Sequence, residues 1–218
     1  MQGIYISSDI APGSPLLQLK KDFLFEAESL ISFKAIPFVW QGEGSCLFFY
    51  SKNGVKYFFE QAPKIDPEIK LAAMGRGTAK LIEGQGYQCA FTGNGNVKKI
   101  AEDFYTFAKD DTTIFVKAKQ SLSSIQKLLK NKIKEGSLVV YNNLPKETIS
   151  EKDHDLLIFT SPLNVQSYCE KFAIKAHQKL IAIGSRTAKA LVVYTDKKIA
   201  LPAESTERGI LELILKGF

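Results

Sequence analysis

KLAAMGRGTAKLI at residues 70–82 and KLIAIGSRTAKAL at residues 179–191 are one stretch written twice, and the pair decides the fold. Each copy is a short apolar run, a glycine and then a segment of helical period, which reads as a strand entering a helix. Gly75 stands opposite Gly184, Thr78 opposite Thr187, and Ala79-Lys80 opposite Ala188-Lys189. The match extends outward in both directions. CLFFYSKNGVKYFF (46–59) aligns with LLIFTSPLNVQSYC (156–169), placing Ser51 opposite Ser161 and Val55 opposite Val165. SLISFKAIP (29–37) aligns with SLVVYNNLP (137–145), GIYI (3–6) answers TIFV (113–116), and Asn96 answers Thr206. Five matches in order, each separated by about half of the 218 residues, describe a duplicated α/β chain.

Each half reads strand, helix, strand, strand, helix, strand, helix, and such alternation argues for parallel sheets. Ser161 is the expected N-cap of a helix opened by Pro162, with Val165, Tyr168, Cys169 and Phe172 on one apolar face; Ser51, Val55, Phe58 and Phe59 repeat it. Gly75 and Gly184 end their strands where a sharp turn into a helix is expected, and Asn96 and Thr206 are N-cap types before the last helix of each half. Strands that run into helix N-termini on one edge present free amides and positive dipole ends to carboxylates or phosphates. Function is therefore expected beyond the carboxyl ends of the strands, in a cleft between two lobes.

Composition narrows the chemistry. Net charge is +6, from 29 basic and 23 acidic residues, which favours an anionic partner. The lysines at 117, 119, 127, 130, 132 and 134 suit the wet face of a helix carrying Ile125, Leu128, Leu129 and Ile133 inward, so nucleic acid is not expected. Cys46, Cys89 and Cys169 are widely spaced in apolar contexts and read as small buried hydrophobes; with only two histidines, no metal site is expected. No run is long enough to span a bilayer and no signal-peptide pattern opens the chain, so a cytoplasmic address and no membrane partner are expected.

Taken in order, IFTSPLNV, AIGSRTAKAL and PAESTERGILELI between Leu156 and Ile214, with the weaker FFYSKNGV and AAMGRGTAKLI before them, resemble uroporphyrinogen-III synthase. The resemblance covers nearly the whole chain and rests on the ordered set rather than on one motif. It implies two similar parallel-sheet lobes of flavodoxin-like, doubly wound type joined by a two-stranded linker. Residues 1–36 plus 146–218 would form one lobe and 37–145 the other, with linkers near 31–38 and 137–145. It also implies closure of hydroxymethylbilane, a linear tetrapyrrole, into uroporphyrinogen III, with loss of water, inversion of ring D and no cofactor. The one protein partner left open is a transient contact with the enzyme that supplies this unstable substrate.

Tyr141 falls opposite Phe33, so only one copy carries a hydroxyl there, and it matches the family's functionally important tyrosine; it is the expected general acid. Ser51, Asn53, Gly75, Thr78, Ser161, Asn164, Gly184 and Thr187 are the expected carboxylate-binding set, joined by Lys117 at a strand end. The chain departs from the family pattern at Tyr50, where a threonine is usual, at Tyr194 to Lys197, and in having lysine after Val116. Two rival readings remain: a non-catalytic two-lobe protein binding a small anion, and a nucleotide enzyme resting on Gly75-x-Gly77 and Gly93-Asn94-Gly95. Neither glycine pair is followed by the lysine or acidic residue that nucleotide binding needs, so both read as turns.

Overall fold

The computed structural model describes residues 1–61 and 64–217. In chain order the elements are β1 (Gly3–Ile6), a 3-10 helix (Pro15–Lys21), β2 (Leu24–Ala27), β3 (Ile31–Ala35), β4 (Cys46–Phe49), α1 (Lys52–Phe59), β5 (Lys70–Ala73), α2 (Arg76–Glu83), β6 (Cys89–Thr92) and α3 (Val97–Ala108). The second half follows with β7 (Thr112–Ala118), α4 (Ser124–Leu129), β8 (Lys134–Pro145), β9 (Leu156–Phe159), α5 (Pro162–Cys169), β10 (Lys179–Ala182), α6 (Ser185–Leu191), β11 (Ile199–Ala200) and α7 (Glu207–Leu215). The chain folds as two compact units, Met1–Ser32 with Leu144–Phe218, and Phe33–Asn143. Phe218, the last residue of the expected first lobe, lies outside the described residues.

The first unit holds a five-stranded sheet in the order β11-β10-β9-β1-β2, parallel throughout. Its inner strands β1, β9 and β10 are short apolar runs buried on both faces, as parallel sheets require, while the edge strands β2 and β11 are partly exposed. Ile4, Ile6, Ile158 and Ile181 meet the 3-10 helix and α7 on one face, while Tyr5, Leu157, Phe159 and Leu180 meet α5 and α6 on the other. The period of two along each strand thus feeds two cores. Lys152 is only 3% exposed, and its ammonium binds Glu26 and Glu28 and lies over the Tyr5 ring, tying the middle of the sequence to β1 and β2. Burial pulls the Lys152 pKa down, but the hydrogen bonds to Glu26 and Glu28 outweigh it and hold the group above its usual value.

The second unit holds the sheet β3-β8-β7-β4-β5-β6, in which β8, β7, β4, β5 and β6 are paired in parallel. Leu47, Phe49 and Val116 face α1 and α2; Cys46, Phe48 and Phe115 face α3 and α4. The α/β fold with parallel sheets is the one that the repeat implied. Serine and threonine caps work as read: Ser51 accepts from Gly54 N, Ser161 from Asn164 N and Thr206 from Gly209 N, while Asn96 accepts from Lys99 N. Each such cap contributes about 1 kcal/mol to its helix.

Four local expectations change. The runs β2, β3 and β8 do not lead into helices, because each is followed by another extended segment. Helix α4 stops at Leu129, before a left-handed Asn131 with φ of 64°, so Leu128 is exposed and Ile133 packs from beyond the helix end. Gly75 and Gly184 are extended, with φ of −175° and −169°, so backbone strain does not select glycine there. Gly93 is needed instead, because a Cβ would come within 2.5 Å of the Met74 carbonyl. Of the cysteines, Cys46 is buried while Cys89 and Cys169 are partly exposed.

Candidate active site

In the second unit, β4, β5 and β6 run parallel and pass directly into α1, α2 and α3, so three helix N-termini share one edge of the sheet. Tyr141 reaches this edge through a bulge. Lys117 pairs with Val139 and Ala118 with Tyr141, leaving Val140 as an extra residue in β8. Without it, alternation would send Tyr141 to the opposite face from Val140; with it, both side chains pack against α1. The Tyr141 ring is 5% exposed, stacks on Tyr57 at 5.4 Å and 22°, and meets Phe33 at a tilt. Its hydroxyl lies 2.9 Å from Ser51 Oγ. Burial raises the Tyr141 pKa above its ordinary value and the Ser51 hydrogen bond works against that rise, so the phenol holds its proton at neutral pH.

The Gly-x-x-Thr turns share a second feature. Gly75 and Gly184 cap α2 and α6 without any side-chain hydrogen bond, leaving the first amides of each helix open. Thr78 and Thr187, in those first turns, are 7% and 3% exposed, and neither hydroxyl carries a hydrogen bond to any described residue. Neither oxygen is among the buried unpartnered polar atoms, so both hydroxyls stay open at equivalent turns, where an arriving acceptor could meet them.

Lys117 donates to Ser123 Oγ and Gln126 Oε1, both at 2.8 Å, and burial lowers its pKa. It packs on the face carrying α4, away from Tyr141. Asn53 is half-exposed in the first turn of α1 and its side chain bonds to no described residue. Asn164 differs: it is 3% exposed, accepts from Leu30 N at 2.8 Å and donates to Ser161 Oγ at 3.0 Å. Its amide is an internal brace between Leu30 and Ser161. Ser161 stays at its helix end as a double acceptor.

Three cations at these edges escaped the sequence reading. Lys52, Arg76 and Arg186 lie in the first turns of α1, α2 and α6, and all three are exposed. No acidic residue occupies the first turn of any helix from α1 to α6, whereas α7 has Glu207. Helix dipoles favour anions at such positions, so cations there are uphill unless an anion arrives. A basic residue one or two places after a Ser or Gly cap was the available signal. The Lys52 stem crosses the first turn of α2, where a Cβ on Gly77 would sit 2.7 Å from Lys52 Cε.

A surface hollow of about 620 Å³ between α3 and α4, lined by Tyr105, Leu128, Lys98 and Lys132, contains none of the residues at the strand ends. Among the described residues no group of His, Cys, Asp and Glu could hold a metal ion, and no helix is long and apolar enough to cross a membrane.

Comparison with known proteins adds three findings. The family model described as uroporphyrinogen-III synthase HemD matches residues 15–212. The structure of uroporphyrinogen-III synthetase from Helicobacter pylori superposes with a TM-score of 0.79 at 22% identity, covering 99% of both chains. A mutant uroporphyrinogen III synthase from the extremely thermophilic bacterium Thermus thermophilus superposes at 0.60 with 15% identity, covering 100% of both. A search of the curated proteins found no match.

Proposed function

The chain belongs to the uroporphyrinogen-III synthase family of tetrapyrrole and haem biosynthesis, and from that premise we propose a cyclising hydro-lyase whose proton donor is Tyr141. The substrate is hydroxymethylbilane. Tyr141 gives its proton to the terminal hydroxyl, the carbon–oxygen bond breaks, and water leaves a delocalised cation. Ring D then attacks through its substituted carbon to give a spiro intermediate, which reopens and closes as the inverted ring of uroporphyrinogen III. A phenol whose pKa burial has raised stays protonated until a departing hydroxyl takes the proton.

Binding of the substrate's carboxylates is assigned to the helix edges. In the second unit the open amides after Gly75, the Thr78 hydroxyl, Lys52 and Arg76 converge on the first turns of α1 and α2. In the first unit Gly184, Thr187 and Arg186 repeat the turn, with Ser161 at the neighbouring helix. Positioning dominates, because the bilane closes unaided to the uninverted isomer and the protein need only select one folded geometry. A net charge of +6 and free thiols at Cys46, Cys89 and Cys169 support a polyanionic substrate and a reducing, cytoplasmic setting.

The observation that carries the reading is the hydroxyl of Tyr141 held at the carboxyl edge of the sheet beside the N-terminus of α1. The test is to add the protein to freshly made hydroxymethylbilane and separate the product isomers. Type III product is expected; type I alone, at the uncatalysed rate, would leave a protein that binds without catalysing.

A further inference from the structure

Ser51 was expected to meet a carboxylate, but the hydroxyl is already committed. Its oxygen accepts from Gly54 N at 3.0 Å, which ties it to the positive end of α1, and it lies 2.9 Å from the Tyr141 oxygen. Among the described residues no other hydrogen bond involves the Ser51 side chain. Either hydroxyl can donate across this contact; the arrangement that frees the Tyr141 hydrogen for a substrate is the one in which Ser51, already accepting from the Gly54 amide, donates to Tyr141. The equivalent hydroxyl in the other unit takes a different partner: Ser161 accepts from the Asn164 side chain, at the position where Gly54 has none.

We propose that Ser51 is the positioning residue for Tyr141, coupling the phenol through one hydroxyl to the first turn of α1 and holding the negative charge that proton transfer leaves behind. The inference rests on Tyr141 being the proton donor. The Tyr141 O–H bond breaks as its proton goes to the departing hydroxyl, and the phenolate then accepts the Ser51 O–H, whose oxygen is polarised by the Gly54 amide. The proton released from the pyrrole carbon at ring closure restores the phenol, so one water is lost and no redox partner is needed. The fold positions the pair from two sides, by the bulge that aims Tyr141 and by the Tyr57 ring stacked on it.

Three variants at one position separate this role from helix capping. Ser51→Ala removes both functions; Ser51→Gly keeps a good N-cap without adding charge but cannot donate to a phenolate; Ser51→Thr keeps both. The readout is the ionisation of Tyr141, followed by NMR in protein labelled with carbon-13 at tyrosine Cζ, its resonance assigned by loss in Tyr141→Phe. In Ser51→Gly and Ser51→Ala the midpoint is expected to rise by about one pH unit and kcat to fall about 10-fold with KM within about 2-fold, while Ser51→Thr restores both. A Ser51→Gly protein with an unmoved midpoint and wild-type kcat makes Ser51 a cap only and overturns the inference, leaving the role of Tyr141 intact. Wild-type turnover in Tyr141→Phe removes the proton donor itself, and the inference goes with it.

Discussion

The two units use the same serine for different ends. In the first unit, Ser161 and Asn164 close on each other and on the Leu30 amide, a knot of hydrogen bonds that fastens the start of the linker segment to α5. In the second, glycine replaces that asparagine, and the serine turns to a tyrosine delivered from β8. Duplication supplied two copies of a helix cap. Loss or gain of one side chain three residues later decided which copy became internal structure and which kept a reactive neighbour.

The sharpest way to break this contrast is Tyr141→Phe. Removing a positioned proton donor is expected to lower kcat by about 100-fold, with the residual product shifted toward the type I isomer, as chromatography of the two isomers would reveal. Next in size is Asn164→Ala, which leaves the buried Leu30 N–H without its acceptor and is expected to destabilise the protein by about 2 kcal/mol in urea unfolding. The aligned change Gly54→Ala should be neutral or slightly stabilising, since its Cβ would lie 3.5 Å from its nearest neighbours. A cost at Gly54 equal to that at Asn164 would erase the distinction drawn between the units.

Grafting one unit's solution onto the other sharpens it further. Gly54→Asn offers Ser51 the amide that Ser161 already has, and is expected to draw Ser51 away from Tyr141 and lower kcat about 10-fold without loss of helix content by circular dichroism. Smallest are Thr78→Val and Thr187→Val, which delete hydroxyls that have no partner in the fold. Stability should hold or improve slightly, while KM rises about 5-fold for each. Unfolding at lower urea with unchanged KM would mean the hydroxyls serve the fold rather than the substrate.

Much of this was legible in residues. Ser51, Asn96, Ser161 and Thr206 cap the helices that their type and spacing announced, because a cap is a local bond across three residues. The unpaired Thr78 and Thr187 were found as repeats, though not as buried. The bond from Leu30 N to Asn164 was not legible, because the two lie 134 positions apart and nothing near Asn164 in sequence asks for an acceptor. Lys52, Arg76 and Arg186 were passed over because basic residues are ordinary on helices and become informative only against the dipole at a known N-terminus.

The sequence by itself determined the α/β character, the twofold plan and the helix starts, since periodicity and capping act over a few residues and survive duplication. Tertiary structure decided the facing of Tyr141, because one unpaired residue at Val140 reverses the alternation, and such a bulge is set by the register between β7 and β8 rather than by either strand. It also decided the partner of Ser51, which depends on β8 bringing Tyr141 within reach of its hydroxyl.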